Sequence, residues 1–71
     1  MEKLRSIIYE SARAHFVGHI EKHLANVEIL LENPVGVGQG SADILEEIEK
    51  ELAEIADYDD KLAMLVKYFN T

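Results

Sequence analysis

There is no cysteine in the chain and no tryptophan, only one proline, and no apolar stretch of bilayer length. Each absence excludes something. Without cysteine there are no disulfides and no thiolate zinc sites, and the composition fits a reducing cytoplasm, the compartment expected here. Spanning a bilayer takes roughly 20 consecutive apolar residues, and none of the apolar runs approaches that length. The opening MEKLRSIIYESARAHF carries no long apolar run before a small-residue cleavage site, so no secretory signal is read. Basic residues are also few, seven Lys and Arg against fourteen Asp and Glu, for a formal net charge of -7. Lys3, Arg5, Arg13, Lys22 and Lys61 are dispersed. Phosphate contact needs a basic patch, so direct nucleic-acid binding is not expected. A basic protein partner is easier to accommodate, and solubility alone also accounts for the charge.

At 71 residues the chain makes one small domain at most. A chain of this size buries little surface and relies on disulfides, a metal or association. With disulfides excluded, association is the expected remedy, and a histidine–carboxylate metal site the other.

Strand-type alternation is absent throughout. The one strong interruption is NPVGVGQGS, residues 33 to 41, which holds the only proline and all but one of the four glycines. Asn33 precedes proline and is pushed away from helical angles, so a helix should stop near Glu32. Ser41 is a suitable N-cap, with Asp43 at the positive end of the next helix. Asp43 with Glu46 forms a second capping-box pattern one register later. The fold expected is all-α: helices over about 3–32 and 42–69, each roughly 40–45 Å long, folded back as an antiparallel two-helix hairpin. The glycine-rich loop superficially resembles a phosphate loop. It follows a helix rather than a strand and lacks the lysine, so it is read as a turn, with Val35 and Val37 tucked over the end of the bundle.

In the second helix Leu45, Ile48, Leu52, Ile55, Asp59, Leu62, Val66 and Phe69 recur in alternating steps of three and four, a heptad seam with one polar member. Glu47, Glu49, Lys50, Glu51 and Glu54 fall on its outer face. The first helix carries two stripes. Val17, Ile20, Leu24, Val27 and Leu31 are large and suit that seam. Ile7, Ser11, Ala14, Gly18, Ala25 and Ile29 are mostly small and lie on the opposite side. Among them Ser11, Ala14, Gly18 and Ala25 are close-packing positions for another helix. A hairpin alone leaves this stripe and the apolar end of the second helix uncovered, so dimerisation into a four-helix bundle is expected. A continuous coiled-coil rod is argued against by the Pro-Gly linker.

Setting Leu31 against Leu45 across the loop places Leu24 opposite Leu52 and Val17 opposite Asp59. Arg13 then lies within a turn of Asp59, and a buried carboxylate needs a partner, so an Arg13–Asp59 charged pair is expected. Its role would be to fix register.

The three histidines, His15, His19 and His23, are four apart and share one helix face. His15 with His19, or His19 with His23, has the spacing to share a divalent metal. All three cannot hold one ion, because His15 and His23 are roughly 12 Å apart along the axis. The Glu-x-x-His spacing of di-metal carboxylate bundles is missing: Glu10 leads to Arg13 and Glu21 to Leu24. Structural histidines at the border of the two stripes are the other reading, and a pH switch a third. Ser11, His15 and Asp59 form a triad on paper only, with no cleft or oxyanion hole, and no enzyme activity is expected. No resident cofactor is expected either.

The run HFVGHIEKHLANVEILLENPVGVG, with the later DYDDKLAMLVKYF, resembles small helical proteins encoded by tailed phages of marine bacteria. That resemblance implies a cytoplasmic accessory protein in an infected host cell and transfers no site residues. The function expected is therefore a small acidic oligomeric interaction module with an unidentified protein partner; the alternative is a metal- or ligand-binding bundle using the histidine face. Mimicry of DNA by Glu46, Glu47, Glu49, Glu51, Glu54, Asp57 and Asp60 is a further reading.

Overall fold

The computed structural model describes residues 2–32 and 41–71, with side chains over 3–32 and 43–71. It consists of two helices, α1 (Glu2–Glu32) and α2 (Ser41–Phe69), packed against each other in an all-α hairpin. The bounds lie within one residue of those the sequence suggests. The turn, including the readings placed on Val35, Val37 and the loop glycines, lies outside the described residues. Ser41 opens α2 as its first helical residue rather than preceding it, and Asp43 stands in the first turn. At the other end Lys67 faces the negative pole of α2.

The molecule is narrow, 54 × 16 × 13 Å. Cross-helix contacts show that the two helices run antiparallel. Arg5 reaches Phe69 and Thr71, the Phe16 ring lies near Tyr58, and His23 meets Glu51. This register agrees with the one expected to within a turn.

The faces that meet are different from those expected. In α2 the half-buried positions are Ile44, Ile48, Glu51, Ile55, Tyr58, Leu62 and Leu65, with Glu47 half-buried beside them. Leu45, Leu52, Asp59, Val66 and Phe69 are exposed. Ile48, Ile55 and Leu62 belong to both patterns, so the seam is shifted by one residue at every other position. In α1 the seam runs Tyr9, Ala12, Phe16, His19, His23, Asn26 and Leu30, all buried or half-buried. Val17, Ile20 and Val27 flank it, while Leu24 and Leu31 are exposed. One residue turns a helix by about 100°, so a single-position shift changes the face presented. The shift has a physical reason. The expected seam would point Asp59 at an apolar stripe; the observed seam points Glu51 at two hydrogen-bond donors.

Arg5 closes the open end of the hairpin. Its guanidinium donates to the carbonyl oxygens of Phe69 and Thr71, both at 2.8 Å. The last carbonyls of a helix have no partner within it, and a cation there also complements the helix dipole. A side chain from the first turns of α1 thus caps the end of α2. Replacing Arg5 by Gln should leave helix content nearly unchanged and speed amide exchange in the last turn of α2 several-fold, with amides near Ile55 unaffected. Mass-spectrometric or NMR hydrogen exchange checks this, and uniform acceleration along α2 would contradict local capping.

Candidate functional site: a polar cluster between the helices

The sole buried residue among the described ones is a histidine, His23, at 9% exposure, and no apolar side chain is buried to that degree. The centre of the seam is therefore polar and aromatic. His23 Nδ1 donates to Glu51 Oε1 at 2.8 Å, and Asn26 Nδ2 donates to the same oxygen at 2.6 Å. With a carboxylate opposite, Nδ1 carries the proton. Three side chains from two helices form one closed unit, since His23 and Asn26 are three apart on one face of α1.

These donors hold the Glu51 carboxyl below the usual carboxylate range, the bond from His23 acting first and that from Asn26 second. Burial opposes the shift. Hydrogen bonds to the charged form favour it, and here they outweigh desolvation.

Tyr58 occupies the next layer. The His19 ring stacks on it with centroids 4.3 Å apart and planes 10° from parallel. His23 lies nearly parallel to the same ring at 6.2 Å, and Phe16 is tilted at 6.2 Å. Lys61 places its ammonium 5.0 Å from the Tyr58 centroid while bonded to Asp57 at 2.8 Å. That bond is the chief reason the Lys61 ammonium is held above its ordinary value. His19 Nδ1 is buried without a hydrogen-bond partner among the described residues. Burial is the first cause, and the charges of His15, Lys22 and His23 the next, that lower the His19 pKa.

The three histidines thus serve in three settings. His15 is exposed, edge-on to His19 at 4.5 Å. His19 stacks on tyrosine. His23 is bonded to glutamate. Among the described residues no group of three or more His, Cys, Asp or Glu is arranged to hold a metal ion. The metal reading of His15, His19 and His23 thus finds no ligand set among them: the nearest carboxylate, Glu51, is already engaged by His23 and Asn26.

The expected charged pair is not formed. Arg13 bonds Glu10 on its own helix at 3.3 Å, with both side chains more than half exposed, and Asp59 faces solvent. The polar seam role assigned to Asp59 falls to Glu51, which the sequence reading had placed on the outer face. The signal was present: Tyr9, Ala12, Phe16, His19, His23, Asn26 and Leu30 follow alternating steps of three and four as regularly as any stripe in the chain. Its polar central members, His19, His23 and Asn26, keep it from standing out when stripes are ranked by hydrophobicity. Ser11, Ala14, Gly18 and Ala25 are all exposed on the outer face of α1. A Cβ added at Gly18 would meet nothing within 4 Å, so no close approach within the hairpin requires that glycine. With Glu51 turned inward, the acidic set considered for DNA mimicry loses a member.

No helix among the described residues is long and apolar enough to cross a membrane. No family model matches the chain, and neither the curated proteins nor the solved structures contain a match.

Replacing Glu51 by Ala leaves two donors unpaired in a largely buried place and should cost about 1–3 kcal/mol. Glu51→Gln keeps an acceptor oxygen and should cost less. Because the carboxyl is depressed in the folded chain, its contribution is present above the unfolded value near 4.5 and lost as pH falls through the folded one. Thermal unfolding of both variants between about pH 6 and pH 3 tests this: the gap between wild type and Glu51→Gln should shrink with acid. A gap independent of pH would show that the carboxylate charge contributes nothing.

Proposed function

We propose that the hairpin is a subunit of a homo-oligomer, a dimer forming a four-helix bundle, and acts as a small acidic protein–protein interaction module. One observation carries the reading: the described residues contain no buried apolar side chain, while twelve large apolar residues are 39–65% exposed. They include Ile7 and Ile29 on α1 and Leu45 and Leu52 on α2. Burial of apolar area is the main favourable term in folding, at roughly 25 cal/mol per Å². A two-helix protomer with its apolar groups outside gains little of it alone. A second copy supplies the missing surface.

The open end of the hairpin supports the same reading. Leu4, Ile8, Tyr9, Ala12, Leu65 and Phe69, together with the Arg5 that caps α2, line a groove of about 430 Å³ whose exposed wall is mostly apolar. Contiguous apolar surface of this kind marks an association site more often than a solvated face. The acidic outer side chains remain available to a further, basic partner. The resemblance to small phage-encoded helical proteins agrees with an accessory role of this type in a host cytoplasm.

Light scattering at tens of micromolar should return twice the 8.0 kDa chain mass. A mass of one chain, with helix content intact, would sink the proposal. Gly18 locates the interface. Gly18→Ala meets nothing in the hairpin and removes a helix penalty of roughly 1 kcal/mol, so it should stabilise an isolated protomer. Gly18→Leu should leave the hairpin folded and weaken the dimer at least tenfold, read by sedimentation; an unchanged dimer would place the interface away from the Gly18 face.

A further inference from the structure

We propose that the His19–Tyr58 stack is a proton-operated latch: α1 and α2 close on each other with His19 neutral, and protonation of His19 loosens the hairpin. The geometry that points to this is the placement of one ring. His19 lies flat on Tyr58 at 4.3 Å, and its Nδ1 is buried with no hydrogen-bond partner among the described residues. A neutral imidazole protonated at Nε2 leaves only a lone pair at that buried position. The imidazolium must carry a proton on both nitrogens, which puts a charged donor where nothing accepts it.

The groups around the ring do not compensate. From α1 it is faced by His15, edge-on at 4.5 Å, by His23, stacked at 6.4 Å, and by Lys22. The charges of all three disfavour a proton on His19. From α2 it is faced by Tyr58, by the Lys61 ammonium over the tyrosine ring, and by Glu54. A cation stacked on tyrosine is ordinarily favourable. Here the same tyrosine already has an ammonium 5.0 Å from its centroid, so an imidazolium would be its second cation. The other carboxylates near the stack are committed, Glu51 to His23 and Asn26, and Asp57 to Lys61. Only exposed Glu54 favours the charged ring, and its pull is outweighed.

The sign follows from linkage. A histidine whose folded value lies below 6.5 contributes stability that is complete above 6.5 and is lost as pH falls through the folded value. This window opens at 6.5, above the 4.5 at which loss of the Glu51 contribution begins. Because the latch belongs to the single hairpin, the inference stands whether or not two hairpins pair.

The test compares wild type with His19→Phe, which keeps a flat ring on Tyr58 and removes the titration. Thermal unfolding is followed by circular dichroism at about pH 7.5 and about pH 5.5, at two protein concentrations. Falling pH also brings the net charge of -7 towards zero, which favours compaction in both proteins alike, so the readout is the difference between them. The expected result is that wild type loses several degrees relative to His19→Phe in the acidic sample, at both concentrations. An independent reading on wild type alone is the NMR titration of the His19 ring, expected to have its midpoint below 6.5. A difference that does not change with pH, a change confined to the higher concentration, or a His19 midpoint at or above 6.5 would overturn the latch.

Discussion

Glu51 can face α1 only where α1 offers donors, and that requirement decides which sides of the two helices meet. A carboxylate in a seam is costly unless its oxygens are bonded. His23 and Asn26, three residues apart, both bond the same oxygen and thereby select one rotation of each helix about its own axis. The apolar residues do not make that choice. Ile48, Ile55 and Leu62 belong to both heptad patterns, and each helix carries apolar side chains on more than one side. The polar contact has the discriminating part, as single polar groups in helical seams do when they specify arrangement at some expense of stability.

The same competition explains what was legible in the sequence. Helix existence, helix bounds and the antiparallel register follow from Asn33-Pro34, the glycine-rich loop and the long 3,4 spacings, all of which act locally. The rotation of the helices does not, because it turns on a contact between residues 28 apart. Ranking stripes by hydrophobicity favours Leu45 and Leu52 over Glu51 and Tyr58, and it sends Arg13 to Asp59. The chain instead bonds Arg13 to Glu10 beside it. Histidine spacing was visible, and its division into three settings was not, since that depends on what each ring meets: Phe16 and His19 of its own helix for exposed His15, Tyr58 for His19 and Glu51 for His23.

The two ends of the hairpin are held by different chemistry from its centre. At the open end a guanidinium spans the helices and satisfies backbone carbonyls; in the middle, rings stack in layers against Tyr58. Neither depends on a sealed apolar core, and none is present among the described residues. Such a protomer combines half-buried apolar contacts with hydrogen bonds and ring contacts, the hydrogen bonds each of modest net value because water competes for the same groups. The proposed proton latch draws on the polar share of that balance, which a seam of leucines would lack.

One polar unit, Glu51 with His23 and Asn26, sits among the half-buried apolar residues between the helices, while twelve large apolar residues remain outside, more than a small globular chain usually leaves there. That arrangement connects the seam to the surface. Had α2 turned its Leu45 and Leu52 side inward, those residues would be consumed within the protomer, and Glu51 and Tyr58 would be displayed instead. By holding the other rotation, the His23–Glu51–Asn26 unit keeps Leu45 and Leu52 on the outside, as the small residues around Gly18 are on α1. In the proposed four-helix bundle those exterior residues form the second interface. Polar groups at the first interface then govern association without touching the partner, because they set which apolar face each subunit offers.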